Sequence, residues 1–202
     1  MIKQQRSIIF DLGAVMVDWN PKLIAKSFTN NLDLQQSILQ NLFHNKIWLD
    51  FDNGLISETL LIKYANQQIN LTVAQLNNLI QKAKESLHAK QDMVNLLTLA
   101  KEHQLNTYCL SNLSHEWFAY LNQRHDFFKL FDGKVISAQE GVSKPNIEIY
   151  KRMLKRYQIN SAQSLFIDDR SENTAAAETL GINCITFKHS KANLEAIKQF
   201  IL

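Results

Sequence analysis

The sequence predicts an α/β fold in which a doubly wound, mostly parallel sheet carries an inserted α-helical domain. Short apolar runs alternate with helical periodicity after residue 90, and a further apolar run lies near the start of the chain. Residues 18–89 show helical periodicity and no convincing strand, which predicts the insertion. The chain has 202 residues, 46% of them hydrophobic, with five Gly and two Pro. This composition suits a sizeable core and excludes collagen-like, low-complexity and disordered proteins.

Five apolar runs are the predicted strands. Cys109 and Cys184 each lie inside such a run, where a buried thiol is more common than a disulfide. A reducing, cytoplasmic location is therefore expected. The predicted strands span residues 7–10, 107–110, 134–137, 164–167 and 184–187.

Three helices are predicted between the last four strands. Ser114 is a candidate N-cap for the first of them, and Pro145 suits the first turn of the second. The third runs from Ser171 to Leu180, where Gly181 is a natural terminator. These alternating elements are typical of a parallel sheet that is covered by helices.

The inserted domain is predicted to span residues 18–89, which leaves 1–17 and 90–202 as the α/β core domain. Apolar residues at helical spacing mark helices around Leu42, Leu61 and Leu79, and Thr72 with Gln75 fits a capping box before the third.

Aromatic side chains are concentrated in the inserted domain. Phe43, Trp48 and Phe51 are expected to form its core, and one of them is a candidate for the wall of a substrate pocket. Gly54 is expected to make a turn between two helices and to have no further role.

Polar residues follow three predicted strands at the point where each strand ends. Asp11 follows the first strand, Ser111-Asn112 the second, and Asp168-Asp169 the fourth, while Lys144 precedes a helix. Because the carboxyl ends of parallel strands line one crevice, these groups are expected to converge. Crowded carboxylates need a cation, and all-oxygen ligands suit Mg²⁺. A lysine, a hydroxyl and backbone N–H groups beside that ion would hold a phosphate.

Such a site supports phosphoryl transfer. A carboxylate at the tip of a central strand, screened by the metal, can attack phosphorus and form an aspartyl-phosphate. Phosphoryl transfer asks mainly for positioning and charge stabilisation, which these residue types provide.

Four short motifs resemble those of the haloacid dehalogenase superfamily, in the same order and across nearly the whole chain. The insertion after the first motif is similar to the helical cap of that family. The D-L-G form of the first motif, together with residues 53–57, looks most like the subgroup that contains bacterial α-D-glucose-1-phosphate phosphatases. The motifs are Phe10-Asp11-Leu12-Gly13-Ala14-Val15, Leu110-Ser111-Asn112, Ser143-Lys144-Pro145 and Ile167-Asp168-Asp169, followed by Asn173.

The resemblance implies a role for each motif residue. Asp11 would be the nucleophile and a Mg²⁺ ligand, with Lys144 as its catalytic partner. The backbone carbonyl of Gly13 would be a second metal ligand. Asp169 would be a third ligand with Asp168 near or on the metal, the phosphoryl oxygens would meet Ser111, Asn112 and Lys144, and Asn173 would support the metal site.

Two positions depart from the family pattern. Most phosphatases of the superfamily carry an acid–base Asp where this chain has Gly13. A water or a cap residue would then substitute, or the substrate would have a good leaving group such as an anomeric sugar oxygen. Ala14 stands where related proteins often have Asn.

The expected function is a Mg²⁺-dependent phosphatase that acts on a small phosphorylated metabolite, with sugar phosphates among the candidates. A 2-haloacid dehalogenase is the enzymatic alternative. A non-catalytic phosphate-ligand-binding protein, which Gly13 favours, is the other alternative.

The net charge of +3, from 22 basic and 19 acidic residues, gives no reason to expect a nucleic-acid partner. No apolar stretch approaches the ~18 residues that a membrane helix needs, so no membrane partner is expected. The oligomeric state stays open.

Overall fold

The computed structural model describes residues 6–202, so the first five residues of the predicted core domain lie outside the described part of the chain. Five strands form one sheet, in which every pairing is parallel. This confirms the predicted α/β class with a parallel sheet. The strands are β1 (Ser7–Phe10), β2 (Asn106–Ser111), β3 (Gly133–Ile136), β4 (Ser164–Asp168) and β5 (Asn183–Thr186).

The strand order is β3-β2-β1-β4-β5, which places β1 at the centre. Ile9 lies opposite Tyr108 on one side and Phe166 on the other. Each of these three residues is buried, as expected for strands that helices cover on both faces. The chain runs outwards from β1 to β3 and then returns to the other side of β1. The sheet therefore has its topological switch point beside β1, where open α/β sheets bind ligands.

Eleven α-helices are present within residues 6–202, and six of them lie between β1 and β2. The first five of these six, called the insertion below, are α1 (Pro21–Phe28), α2 (Leu32–Ile38), α3 (Lys46–Asp52), α4 (Glu58–Gln68) and α5 (Val73–Glu85). The others accompany the sheet. They are α6 (Gln91–Glu102), α7 (His115–Arg124), α8 (Ser137–Glu140), α9 (Ile147–Tyr157), α10 (Ser171–Glu178) and α11 (Lys191–Ile201).

Several predicted boundaries differ from the structure by one to three residues. The strand predicted at 134–137 ends at Ile136, because Ser137 already belongs to α8. The helix expected at Pro145 begins at Ile147, since the Asn146 side chain accepts a hydrogen bond from the backbone N–H of Glu148 at 3.0 Å and caps it there. The capping box of Thr72 and Gln75 is present at the start of α5.

Two short backbone segments join the insertion to the sheet, and they lie side by side. The N–H of Asp18 donates to the carbonyl of His88 at 2.9 Å, and the N–H of Lys90 donates to the carbonyl of Met16 at 2.8 Å. Lys90 also forms an ion pair with Asp18 at 2.8 Å. The chain thus leaves and re-enters the α/β part at one point. The division into domains at residues 17/18 and 89/90 stays a prediction.

Both cysteines are free: Cys109 is buried and Cys184 is half-buried. Among residues 6–202, no helix combines the length and the apolar character that crossing a membrane would require.

Candidate active site

Asp11 lies in the site at the carboxyl end of the central strand, β1. Its backbone N–H donates to the carbonyl of Ile167 at 2.9 Å, which extends the β1–β4 ladder by one residue and fixes its position. The residue is 7% exposed, and its carboxylate Oδ1 accepts a hydrogen bond from the N–H of Leu12 at 2.7 Å. The strand end therefore presents a nearly buried acid at the switch point of the sheet.

Lys144 lies at the centre of the site, in the loop before α9. Its Nζ contacts Asp11 Oδ1 at 2.8 Å and Asp168 Oδ2 at 2.6 Å, and it donates to the carbonyl of Leu110 at 2.9 Å. The residue is 2% exposed. Three strand ends, those of β1, β2 and β4, thus meet at one ammonium group.

Asn112 braces the loop that carries Lys144. The Asn112 side chain accepts a hydrogen bond from the Lys144 N–H at 2.8 Å and donates one to the Lys144 carbonyl at 2.9 Å. Ser111, at the end of β2, is 2% exposed. The structure brings both residues to the crevice, and their contact with a phosphoryl group stays a prediction.

Asp168 and Asp169 differ in their surroundings although they are adjacent. Asp168 is fully buried, and its carboxylate accepts from Lys144, from the N–H of Arg170 at 2.9 Å and from Asn173 Nδ2 at 2.9 and 3.1 Å. These four contacts match the capacity of a carboxylate, which has about four lone-pair sites. Asp169 is half-buried. Asp168 is therefore positioned to hold Lys144, and Asp169 is the freer of the two.

The carboxylates form a group that fits a hard cation. One oxygen from each of Asp11, Asp168 and Asp169 lies within 4.8 Å of the others. Asn173 Oδ1 is buried nearby and has no hydrogen-bond partner among the described residues. Oxygen donors in this number and an acceptor that lacks a donor suit Mg²⁺ with its retained waters.

Burial and mutual repulsion shift the acidity of the group. Burial, with the charges of Asp168 and Asp169, raises the pKa of Asp11 to about 7, although Lys144 opposes this. Burial and Asp168 also raise the pKa of Asp169. For Lys144, burial would lower the pKa, but the charges of Asp11 and Asp168 outweigh it and the pKa is raised. Asp168, despite its burial, has a lowered pKa because Lys144 and three hydrogen bonds favour its charged form.

A cavity that is partly open to solvent, with about 410 Å³ of empty space including that opening, lies between the insertion and the sheet. The backbone neighbours of Asp11, Leu12 and Gly13, line its floor together with Ser111 and Asn112. The remaining wall is mainly apolar, and it includes Val17, Leu87, Leu121 and three tryptophans, Trp19, Trp48 and Trp117.

The three tryptophans pack on one another. Trp19 stacks on Trp48 with ring centroids 5.6 Å apart, and Trp48 meets Trp117 edge-on at 5.2 Å. Trp48 belongs to the insertion and lines this cavity. That an aromatic residue of the insertion lines a substrate pocket stays a prediction. Trp117, on α7, also lines the cavity, although the sequence does not single it out as a pocket residue.

Gly54 has a larger role than the predicted turn. Its φ is +70°, which fits a turn, but a Cβ at this position would lie 2.8 Å from the carbonyl oxygen of Ala138 and 2.9 Å from His115 Nε2. The expectation of no further role was wrong, because Gly54 allows the backbone of the insertion to approach α7 and α8 closely. His115 lies at this contact.

Asp52 was not singled out from the sequence, yet it lines the cavity together with Gly13, Ser111 and Asn112. Burial, reinforced by the charge of Asp11, raises its pKa well above the ordinary range of an aspartate. Within the sequence it is one acidic residue of a short amphipathic helix, and nothing in its spacing marks it.

A parallel sheet with a buried aspartate–lysine pair and two further carboxylates at its switch point defines a Rossmann-like α/β hydrolase. Residues 8–187 match the family model described as haloacid dehalogenase-like hydrolase. The chain therefore belongs to the haloacid dehalogenase-like hydrolases.

Curated relatives include phosphatases of similar length. The chain is 28% identical over 198 residues to a sesquiterpene phosphatase of Aspergillus oryzae, covering 97% of this chain and 96% of that protein. It is 23% identical to a glyceraldehyde 3-phosphate phosphatase of Pyrococcus abyssi, covering 91% and 82%. It is also 24% identical to a drimenol cyclase of Aspergillus calidoustus, but spans only 35% of that protein.

Solved structures share the fold. A haloacid dehalogenase family enzyme of Bacteroides thetaiotaomicron, in complex with magnesium and inorganic phosphate, has a TM-score of 0.72 at 20% identity, with 94% of this chain and 98% of that chain covered. The L-2-haloacid dehalogenase of Xanthobacter autotrophicus has a TM-score of 0.69 at 15% identity, with 95% and 81% covered. The family, the relatives' activities and the acidic cluster together identify a phosphatase-like hydrolase of this family.

Proposed function

We propose that the protein is a Mg²⁺-dependent phosphatase that hydrolyses a phosphomonoester through an aspartyl-phosphate at Asp11. The observation that carries this proposal is the buried Lys144 ammonium, which contacts Asp11 and Asp168 at 2.8 and 2.6 Å. The cluster places a nucleophilic oxygen beside a fixed positive charge, as phosphoryl transfer requires.

The contacts of Asp11 assign different tasks to its two oxygens. Leu12 N–H and Lys144 both contact Oδ1, so Oδ2 is the oxygen that can face phosphorus. Lys144 and the N–H groups after β2 would hold the phosphoryl oxygens. A bound Mg²⁺, held by Asp11, Asp169 and the Gly13 carbonyl, would neutralise charge on the phosphoryl group. Water then attacks phosphorus of the aspartyl-phosphate, which releases inorganic phosphate and restores Asp11.

Asp168 and Asp169 have different roles in this proposal. Because the contacts of Asp168 fill its lone-pair sites, we assign it to the positioning of Lys144. Asp169 then completes the metal site. Asn173 supports the site through its two hydrogen bonds to Asp168.

The cavity favours a phosphate ester of an apolar alcohol over a sugar phosphate. A sugar would bring several hydroxyl groups that need partners, and unpaired polar groups are costly to bury. Beyond the floor, the wall offers mainly tryptophan, leucine and valine side chains. The similarity to a sesquiterpene phosphatase supports the same choice. The resemblance to glucose-1-phosphate phosphatases stays the alternative.

Dehalogenation of a 2-haloacid is less compatible with the site. That substrate carries a carboxylate, which Asp168 and Asp169 would repel in the absence of a metal. Chloride release from 2-chloropropionate without Mg²⁺ would favour the dehalogenase.

Phosphate release with and without Mg²⁺ tests the proposed function. The panel contains prenyl and alkyl monophosphates, glucose 1-phosphate and glyceraldehyde 3-phosphate, with Asp11→Asn as the control variant. We expect Mg²⁺-dependent release that is highest for the apolar esters and absent in the variant. Binding of these esters without turnover, or equal turnover by Asp11→Asn, would contradict the proposal.

A further inference from the structure

Asp52 is a carboxylic acid in the wall of the cavity that the steps above leave unused. It is the last residue of α3, and it faces the same space as Gly13, the position where an acid–base residue is missing. Hydrolysis of an alkyl phosphate needs such a residue, because an alcohol is a poor leaving group unless its oxygen receives a proton.

We infer that Asp52, although it lies in the insertion, is the general acid that protonates the leaving oxygen and then the base that activates water. This inference rests on the proposed phosphatase activity and assigns the proton transfers that Asp11 and Lys144 leave open.

Hydrogen bonds hold the backbone of Asp52 against the loop that follows β2. The Ser137 hydroxyl donates to the carbonyl of Asp52, and the same hydroxyl accepts from the N–H of Leu113 at 2.8 Å. Leu113 directly follows Ser111 and Asn112. Although Asp52 belongs to the insertion, its position is thereby fixed relative to the α/β part.

The surroundings of the carboxyl group favour its protonated form. Asp52 is half-buried in a wall that also contains three tryptophans. The Trp48 side chain favours the charged form, but this effect is outweighed. Burial dominates, the charge of Asp11 acts in the same direction, and the pKa is raised well above the ordinary value. A proton is therefore present on the cavity wall at pH values where an exposed aspartate would have lost it.

The proton transfers balance over one turnover. As the bond from Asp11 Oδ2 to phosphorus forms and the ester P–O bond breaks, the leaving oxygen takes the Asp52 proton and departs as an alcohol. Asp52 is then a carboxylate. It accepts a proton from the water that attacks the aspartyl-phosphate, so inorganic phosphate leaves and both aspartates return to their starting states.

Leaving-group dependence in Asp52→Asn tests the inference. p-Nitrophenyl phosphate releases a stable anion that needs no proton, whereas an alkyl phosphate such as n-hexyl phosphate does. We expect kcat/KM, which reports the first phosphoryl transfer, to fall in the variant about 100-fold on the alkyl ester and less than about tenfold on the nitrophenyl ester. Asp52→Glu should recover part of the alkyl activity.

Asp50→Asn is the matched control, because Asp50 lies on the same helix and pairs with Lys46 at 2.7 Å outside the cavity lining. It should retain wild-type rates on both esters. Equal losses of kcat/KM on the two esters in Asp52→Asn, or no loss of kcat/KM on the alkyl ester, would overturn the inference while wild-type turnover still supports the phosphatase. If the wild type releases no phosphate from either ester, the proposed function fails and the inference fails with it.

Discussion

At the scale of single residues, the charge balance around Lys144 is the physical reason to propose a metal at this site. One ammonium faces the carboxylates of Asp11 and Asp168, and Asp169 adds a third negative charge within reach. The cluster therefore carries an excess negative charge that a phosphate would increase. Burial raises the pKa values of Asp11 and Asp169, and the repulsion among the carboxylates raises them further.

This repulsion predicts that Mg²⁺ binding depends on pH. The pKa of Asp11, raised to about 7, means that a proton occupies the metal-free site at lower pH and competes with the cation. Binding should weaken as the pH falls through that value, and the apparent Kd at pH 6 should be about tenfold higher than at pH 8. Isothermal titration calorimetry measures it, and equal Kd values at the two pH values would contradict the assignment.

Ala14 supplies a second prediction at this scale. Its φ of +58° lies in the left-handed region, which an L-residue enters at a cost of about 1 kcal/mol and which Asn and Gly tolerate better. This gives a physical reason for the Asn expected at this position. Ala14→Gly should raise the free energy of unfolding by about 0.5 kcal/mol, since part of the gain is offset by the flexibility of glycine in the unfolded chain.

Urea denaturation measures this difference, with Ala177→Gly as the control. Ala177 lies inside α10, where the same substitution should lower stability by about 1 kcal/mol. A loss of stability in both variants would show that the backbone at residue 14 is not strained.

At the scale of elements, Gly54 determines how closely the insertion packs on α8. Gly54→Ala should lower the free energy of unfolding by about 2 kcal/mol more than Gly141→Ala, because overpacking adds to the backbone cost. The two glycines have similar φ values, +70° and +66°, but a Cβ at Gly141 meets nothing within 4 Å. The Ala138 carbonyl in contrast is backbone and cannot turn away.

The comparison cancels the shared cost of a left-handed backbone, so the difference measures the contact alone. Phosphatase activity should fall with it, since the contact holds Asp52 and Trp48 at the cavity. Equal losses of stability in the two variants would show that the atoms around residue 54 move aside for the added methyl group at no measurable cost.

Strands β1 and β4 could be predicted from the sequence because they are buried on both faces and form continuous apolar runs. The edge strand β5 is only partly buried, and its apolar run alone predicts it. Helices α1, α3, α6 and α11 could not be assigned in the same way. Helix α3 has only seven residues, and α6, which begins at Gln91, has no side-chain hydrogen bond at its N-cap Lys90. Helix α1 does carry a usable pattern, the Asn20 cap before Pro21.

The site residues, too, differ in whether the sequence predicts them. Asp11, Ser111 and Asp168 stand where parallel strands end, so topology alone brings them together. Asp52 reaches the cavity only because the insertion packs on α7 and α8. No local sequence pattern predicts such packing.

At the scale of the whole molecule, the cavity is shared between the insertion and the α/β part. Glu58, at the start of α4, accepts a hydrogen bond from the Trp117 indole at 2.9 Å and pairs with Lys84 at 2.6 Å. The paired connecting segments at residues 16–18 and 88–90 form the other attachment. Movement of the insertion about these segments would admit substrate and then exclude water during attack, the gating that enclosed active sites use.

The whole account depends on Asp11 as the group that receives phosphorus. Rapid quenching of a single turnover, followed by borohydride reduction, converts an aspartyl-phosphate to homoserine, which peptide mass spectrometry locates. We predict homoserine at position 11 in the wild type and none in Asp11→Asn. Turnover without this product, or a phosphorylated peptide that contains Ser111 instead, would contradict the account.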